Sequence, residues 1–146
     1  MTDGEILFRW RNDPTARRQY LNSGMVRRSD HDRWFARTLA DPRCCIYLAE
    51  DPHGRRIGQF RLQRCRGGAE ISVSVARQAR GHGIGALLVR RGAAVARRDL
   101  GVRRVVAYVR PENIASAVAF LKAGYRFSRN AIRRGVRTYV FECVAP

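Results

Sequence analysis

Hydrophobic positions recur with helical spacing through about the first forty residues and with strand spacing after them. Ile6, Leu7 and Trp10 share one face of a short helix that Asp3 is placed to cap, and Asn12-Asp13-Pro14 ends it. A second helix is predicted from Pro14 to Leu21, with Asn22-Ser23-Gly24 as a loop. A third begins at Ser29, with Trp34, Phe35, Thr38 and Leu39 on its buried side, and Asp41-Pro42 closes it. The period then becomes two. Strands are predicted over Cys44–Glu50, Arg56–Cys65 and Ala69–Ala76, joined by turns at Asp51-Pro52-His53-Gly54 and Gly67-Gly68. A helix over Ala86–Arg98 carries Leu87, Leu88, Arg91, Ala94 and Val95, with Gly101 as its stop. Arg103–Val109 is a strand, Asn113–Ala123 a helix, and Tyr125–Ile132 with Val136–Val144 a hairpin around Arg134-Gly135. Helices, then a meander, then strand–helix–strand–helix–hairpin make a mixed α/β class rather than a bundle or a sandwich.

No repeat, linker or low-complexity tract interrupts the 146 residues, so one domain over 1–146 is expected. No run approaches the ~20 apolar residues of a membrane-spanning helix, and the acidic start lacks the layout of a secretory signal. A cytoplasmic location and no membrane partner follow as expectations. Cys44, Cys45, Cys65 and Cys143 form no zinc spacing, so structural thiols and no metal are expected. Adjacent Cys44 and Cys45 point to opposite faces of a strand, one buried and the other not. Charge changes the picture most. The net charge is +17, and among the basic residues only Lys122 is a lysine. Such a field draws anionic ligands: coenzymes, nucleotide sugars, acidic proteins or nucleic acid. A basic nucleic-acid-binding module is the weakest of these readings, for no helix-turn-helix, zinc or aromatic RNA motif is present.

The densest chemical signal is Arg80-Gly81-His82-Gly83-Ile84-Gly85, where a strand runs into a glycine loop and a helix opens. Glycines admit positive φ and close approach to an anion, and the helix N-terminus adds free N–H donors. A phosphate cradle or a tight structural turn both fit. A P-loop is excluded because no Lys-Ser or Lys-Thr occurs, and the dinucleotide pattern G-x-G-x-x-G is absent.

This loop resembles the pyrophosphate motif of GNAT acetyltransferases: Arg80, Gly83 and Gly85 fill its fixed positions, and Gly81 sits where glycine is common. Ala69-Glu70-Ile71 upstream resembles the start of the family's preceding strand. Downstream, Asn113 to Ala117 and Phe120 to Tyr125 resemble its second motif, in which an Asn opens a helix that ends before a Gly-aromatic pair. The match runs from about Cys44 to Cys143. It implies a twisted mixed sheet of about six strands flanked by helices, with a V-shaped splay after the central strand. Residues 1–42 would form the acceptor side and 43–146 the acetyl-CoA core. The family's first edge strand is expected to be missing, since the first helix follows Met1 almost at once; a partner strand is one way to supply it.

The resemblance further implies acetyl-CoA as cosubstrate and direct attack by a primary amine. Val73, Ser74 and Val75 would bind pantetheine; Arg80, Gly81, His82, Gly83, Ile84 and Gly85 the pyrophosphate; Asn113 and Ser116 the cofactor's other side. Glu70 is the candidate base, or else an ion-pair partner for an arginine. Where the family commonly places a Tyr acid this chain has Phe120, so Tyr108 is the substitute candidate, with cross-strand packing as its alternative. Trp10, Arg11, His31 and Trp34 resemble the acceptor side of nucleotide-linked amino-sugar N-acetyltransferases of the pseudaminic acid pathway, and Arg27 and Arg28 suit a diphosphate. Core packing for the aromatics and a solvated helix position for His31 are the plainer readings. Acetylation of protein N-termini and a non-catalytic acyl-CoA sensor stay open, as does a homodimer.

Overall fold

The computed structural model describes residues 1–144. Six strands form one mixed sheet in the order β1-β2-β3-β4-β6-β5. They are β1 (Cys44–Glu50), β2 (Arg56–Cys65), β3 (Gly68–Val75), β4 (Arg104–Val109), β5 (Arg126–Arg133) and β6 (Val136–Val144). The β3–β4 pair is parallel and every other pair is antiparallel. Helices α4 (Ile84–Leu100) and α5 (Ile114–Lys122) cover one face, while α1 (Asp3–Asn12), α2 (Pro14–Arg17) and α3 (Arg28–Ala40) lie on the other side.

Capping explains the helix starts. The Thr2 hydroxyl, not Asp3, accepts from the Glu5 N–H at 3.3 Å; Asp3 lies inside the first turn, where its charge complements the helix dipole. Asp13 accepts from the Ala16 N–H at 2.8 Å and Pro14 takes the first helical position. Helix α2 stops at Arg17, four residues before the expected end. Arg110 donates to the carbonyls of Tyr20 and Leu21, and Arg11 to those of Asn22 and Gly24, which holds this stretch as a bonded loop.

Burial follows the helical period with two shifts of phase. In α3 the inward side is His31, Trp34, Phe35 and Thr38; Leu39, one position further round, is 64% exposed rather than buried. In α4 the inward side is Leu88, Val89, Gly92, Ala93, Val95, Ala96 and Leu100, whereas Leu87, Arg91 and Ala94 face solvent. Cys44 and Cys45 are both half-buried, because α3 packs against β1 and Cys45 lies against the main core. The main core lies between the sheet and α4 with α5, where Leu62, Val89 and Val105 are fully enclosed. At the base of β3 a Cβ on Gly68 would stand 2.3 Å from the Arg104 carbonyl oxygen, so only glycine lets β3 and β4 approach there.

Candidate active site

The two parallel strands part almost at once. β3 and β4 pair only at Ala69 with Val105 and at Glu70 with Val106, and beyond Glu70 they diverge. On its other edge β3 stays paired with β2 up to Val75. The Ala76 N–H donates to the Ile57 carbonyl, so alternation turns the backbone groups of Ser72 and Ser74 toward β2 and those of Ile71, Val73 and Val75 into the gap. The result is a V whose one wall offers free backbone groups, apart from the Val75 carbonyl, which accepts from Arg80. Such a wall suits an extended amide-bearing arm.

At the open end of the V, a single 3-10 turn (Arg77–Ala79) leads into the glycine loop. Gly81 and Gly83 have φ of 78° and 77°, a region costly for other residues, and Gly83 is the N-cap of α4. The N–H groups of Gly81, His82 and Gly83 bond to no backbone carbonyl, and those of the first turn of α4 point outward from the helix end. A Cβ at Gly81 or Gly83 would meet nothing within 4 Å, so the loop needs its glycines for conformation and leaves the space before them open. Gly85 differs: its φ is ordinary, and an added Cβ would stand 3.5 Å from Ala119 Cβ. This constellation fits a diphosphate.

The other motif residues support the cradle more than they line it. Arg80 donates to the Val75 carbonyl at 3.1 Å and reaches Asp13 at 3.4 Å, tying the loop to the start of α2. His82 is exposed, with Nδ1 at 2.8 Å from the Arg80 carbonyl oxygen, and Ile84 is half-buried in the first turn of α4. Asn113 caps α5 by accepting from the Ser116 N–H at 3.2 Å, so these two bond to each other. Ser74 departs from the expected pantetheine set. Its backbone belongs to the β2–β3 ladder, and its hydroxyl bonds Tyr20 Oη at 2.7 Å on the opposite face.

That opposite face carries the ionisable chemistry. Ile71 packs against Gly92 of α4, so its neighbours Glu70, Ser72 and Ser74 project from the far side of the sheet. Tyr108 shares that side on β4. Arg133 of β5 joins the two candidate catalytic residues: its Nη2 lies 2.6 Å from Glu70 Oε2, and its guanidinium sits 4.6 Å above the Tyr108 ring. Arg61 Cζ stands 6.0 Å from the Trp34 ring, and Gln59 donates to the Ser74 hydroxyl at 3.3 Å. Tyr20, Gln59, Arg61 and Arg133 went unnoticed in the sequence, because nothing local marks a residue that arrives from another element. Phe120 is buried at 3% exposure, edge-on to Tyr125 and stacked on Phe141. It is a core residue on the α5 side.

Three expected acceptor residues lie elsewhere. Arg11 holds the 20–24 loop through two carbonyls and covers the Tyr20 ring at 4.5 Å; burial pulls its guanidinium below the ordinary value. His31 is neither solvated nor lining a pocket. It is 3% exposed among Phe8, Trp34 and Phe35, with both ring nitrogens unbonded, and desolvation lowers its pKa. Trp10 borders an open hollow with Ile6, Arg9, Arg55, Arg56 and Gln78, outside the β1–β2 hairpin. Arg28 is paired with Asp32 at 2.9 Å and lies over Phe8. Among the described residues, no group of His, Cys, Asp and Glu is placed to hold a metal ion, and no helix is long and apolar enough to cross a membrane.

Comparison with known proteins places the fold. Among solved structures, spermidine N-acetyltransferase from Vibrio cholerae in complex with CoA and spermine superposes with a TM-score of 0.86 at 14% identity, over 98% of this chain and 90% of that one. Aminoglycoside acetyltransferase AAC(6')-Ib in complex with coenzyme A and kanamycin gives 0.83 at 18% identity, over 99% and 91%. A domain from Methanocaldococcus jannaschii gives 0.80 at 18% identity, over 99% and 94%. At such identities the likeness is one of fold. No curated protein sequence matches. The family model described as "Acetyltransferase (GNAT) domain" matches residues 2–126. The chain therefore belongs to the GNAT acetyltransferase family and is an N-acetyltransferase with acetyl-CoA as cosubstrate.

Proposed function

We propose that the acceptor is a primary amine on a phosphate-bearing molecule, a nucleotide-linked amino sugar fitting best, and that Glu70 takes the proton its ammonium must lose. The carrying observation is the branch point of β3 and β4. Glu70 stands at the apex, the backbone of Val73 and the N–H of Val75 line the gap beyond it, and the glycine loop closes the open end. Pantetheine pairs with Val73 and Val75, and the pyrophosphate lies against Gly81 to Gly85. The neutral amine attacks the thioester carbonyl, forming the C–N bond. Negative charge growing on the carbonyl oxygen is met by a strand N–H, that of Val75 or Val73. The C–S bond breaks, and the nitrogen's second proton ends on the thiolate, through Tyr108 or water. Trp34 and Arg61 form the acceptor's side wall, an aromatic ring and a guanidinium suited to a base and a phosphate.

Calorimetric titration with acetyl-CoA, then thiol release across nucleotide amino sugars, simple amino sugars and peptides, tests this reading. Gly83→Glu should abolish binding, and Glu70→Gln should slow turnover most at low pH, where neutral amine is scarce. Turnover confined to peptides would overturn the acceptor, and an unchanged pH–rate profile in Glu70→Gln would remove it as the base.

A further inference from the structure

All 12 Asp and Glu side chains of this protein lie within salt-bridge distance of an arginine. A cationic acceptor therefore meets no free acidic side chain among the described residues. At the branch point Glu70 is already held, since Arg133 lies 2.6 Å from it. That pair is open to exchange: the side chains of Arg133 and Glu70 are 38% and 22% exposed. Arg133 also keeps an unused donor, because its buried Nε has no partner. Its position is set from both sides. The Tyr108 ring supports the guanidinium from below, and Arg134 and Gly135, both at positive φ, turn the β5–β6 hairpin immediately after it.

We propose that Arg133 is a positioning residue that makes catalysis conditional on an anionic group in the acceptor. In the free protein it masks Glu70. A phosphate or carboxylate on the acceptor draws the guanidinium to itself, where planar N–H donors match two oxygens. Glu70 is then released to take the ammonium proton, and the count of paired charges is unchanged. A polyamine has nothing to offer Arg133, so its ammonium must displace a guanidinium from a carboxylate without compensation. The inference rests on the assignment of Glu70 as base and adds the condition under which that base is free.

The test compares O-phosphorylethanolamine with putrescine as acceptors in the thiol-release assay, for the wild type, Arg133→Gln and Arg133→Lys. Acetyl-CoA affinity is measured in each as the control for folding. The wild type should favour the phosphorylated amine by at least about tenfold in kcat/KM, the scale of one charge-assisted contact. Arg133→Gln should raise kcat/KM for putrescine and lower it for the phosphorylated amine, while Arg133→Lys should restore part of the preference. A wild type without preference for the phosphorylated amine overturns the proposal. So does an Arg133→Gln variant in which both acceptors fall in equal proportion, as a merely structural role requires. Failure of the base assignment shows separately, as an unchanged pH–rate profile in Glu70→Gln.

Discussion

Single side chains in this protein take their meaning from neighbours far off in the chain. His31 sits beside Asp30 and Asp32 in sequence and suggests a solvated or pocket-lining group, yet rings from α1 and α3 enclose it. Burial holds its pKa below the ordinary 6.5, against the opposing pull of Asp32 and with smaller help from Arg28 and Arg11. The unfolded chain therefore binds this proton first. Stability is full above about 6.5 and falls as pH drops from there toward the folded-state value. His31→Leu should remove that acid-side loss and, by deleting two unbonded ring nitrogens, add roughly 1–3 kcal/mol. Thermal denaturation at pH 7.5 and 5.5 checks both; a variant that melts lower at both would mean the imidazole has a partner.

Elements were more legible than residues. Each predicted helix and strand exists, because periodicity, caps and glycine stops are local signals that survive folding. The boundary furthest off is that of α2, which ends early because Arg11 and Arg110 take carbonyls in the segment after it. Shifted faces in α3 and α4 have another cause: which side is inward depends on where the helix lands on the sheet. Gly68 shows the same limit, since its neighbour Arg104 lies across a strand pair. Gly68→Ala would drive a methyl into backbone that has no room to yield, and should cost about 3 kcal/mol. It should also weaken acetyl-CoA binding by spreading the strands at the branch. Denaturant unfolding and calorimetry on that variant are the measurements; unaltered stability would show that β3 and β4 are not tied there.

At the scale of the molecule, charge sets encounter. With a net charge of +17 and its carboxylates already paired, the protein should attract acetyl-CoA over long range. Stopped-flow association rates should fall on the order of tenfold between ~0.05 and ~0.5 M salt. The dissociation rate should change far less. A salt-independent association rate would mean that the arginines are arranged without a net field at the loop.

Local pattern alone was enough for the class of fold, the order of elements and the glycine loop, because periodicity and the backbone freedom of glycine act within a few residues. It also marked Glu70, whose motif is contiguous with its strand. It took contacts between distant elements to show that Ser74 faces Tyr20, that Arg11 pins a loop, that His31 is sealed, and that Arg133 crosses from β5 to cover Glu70. Those facts depend on side chains meeting across strands and layers, and such meetings leave no trace in local spacing.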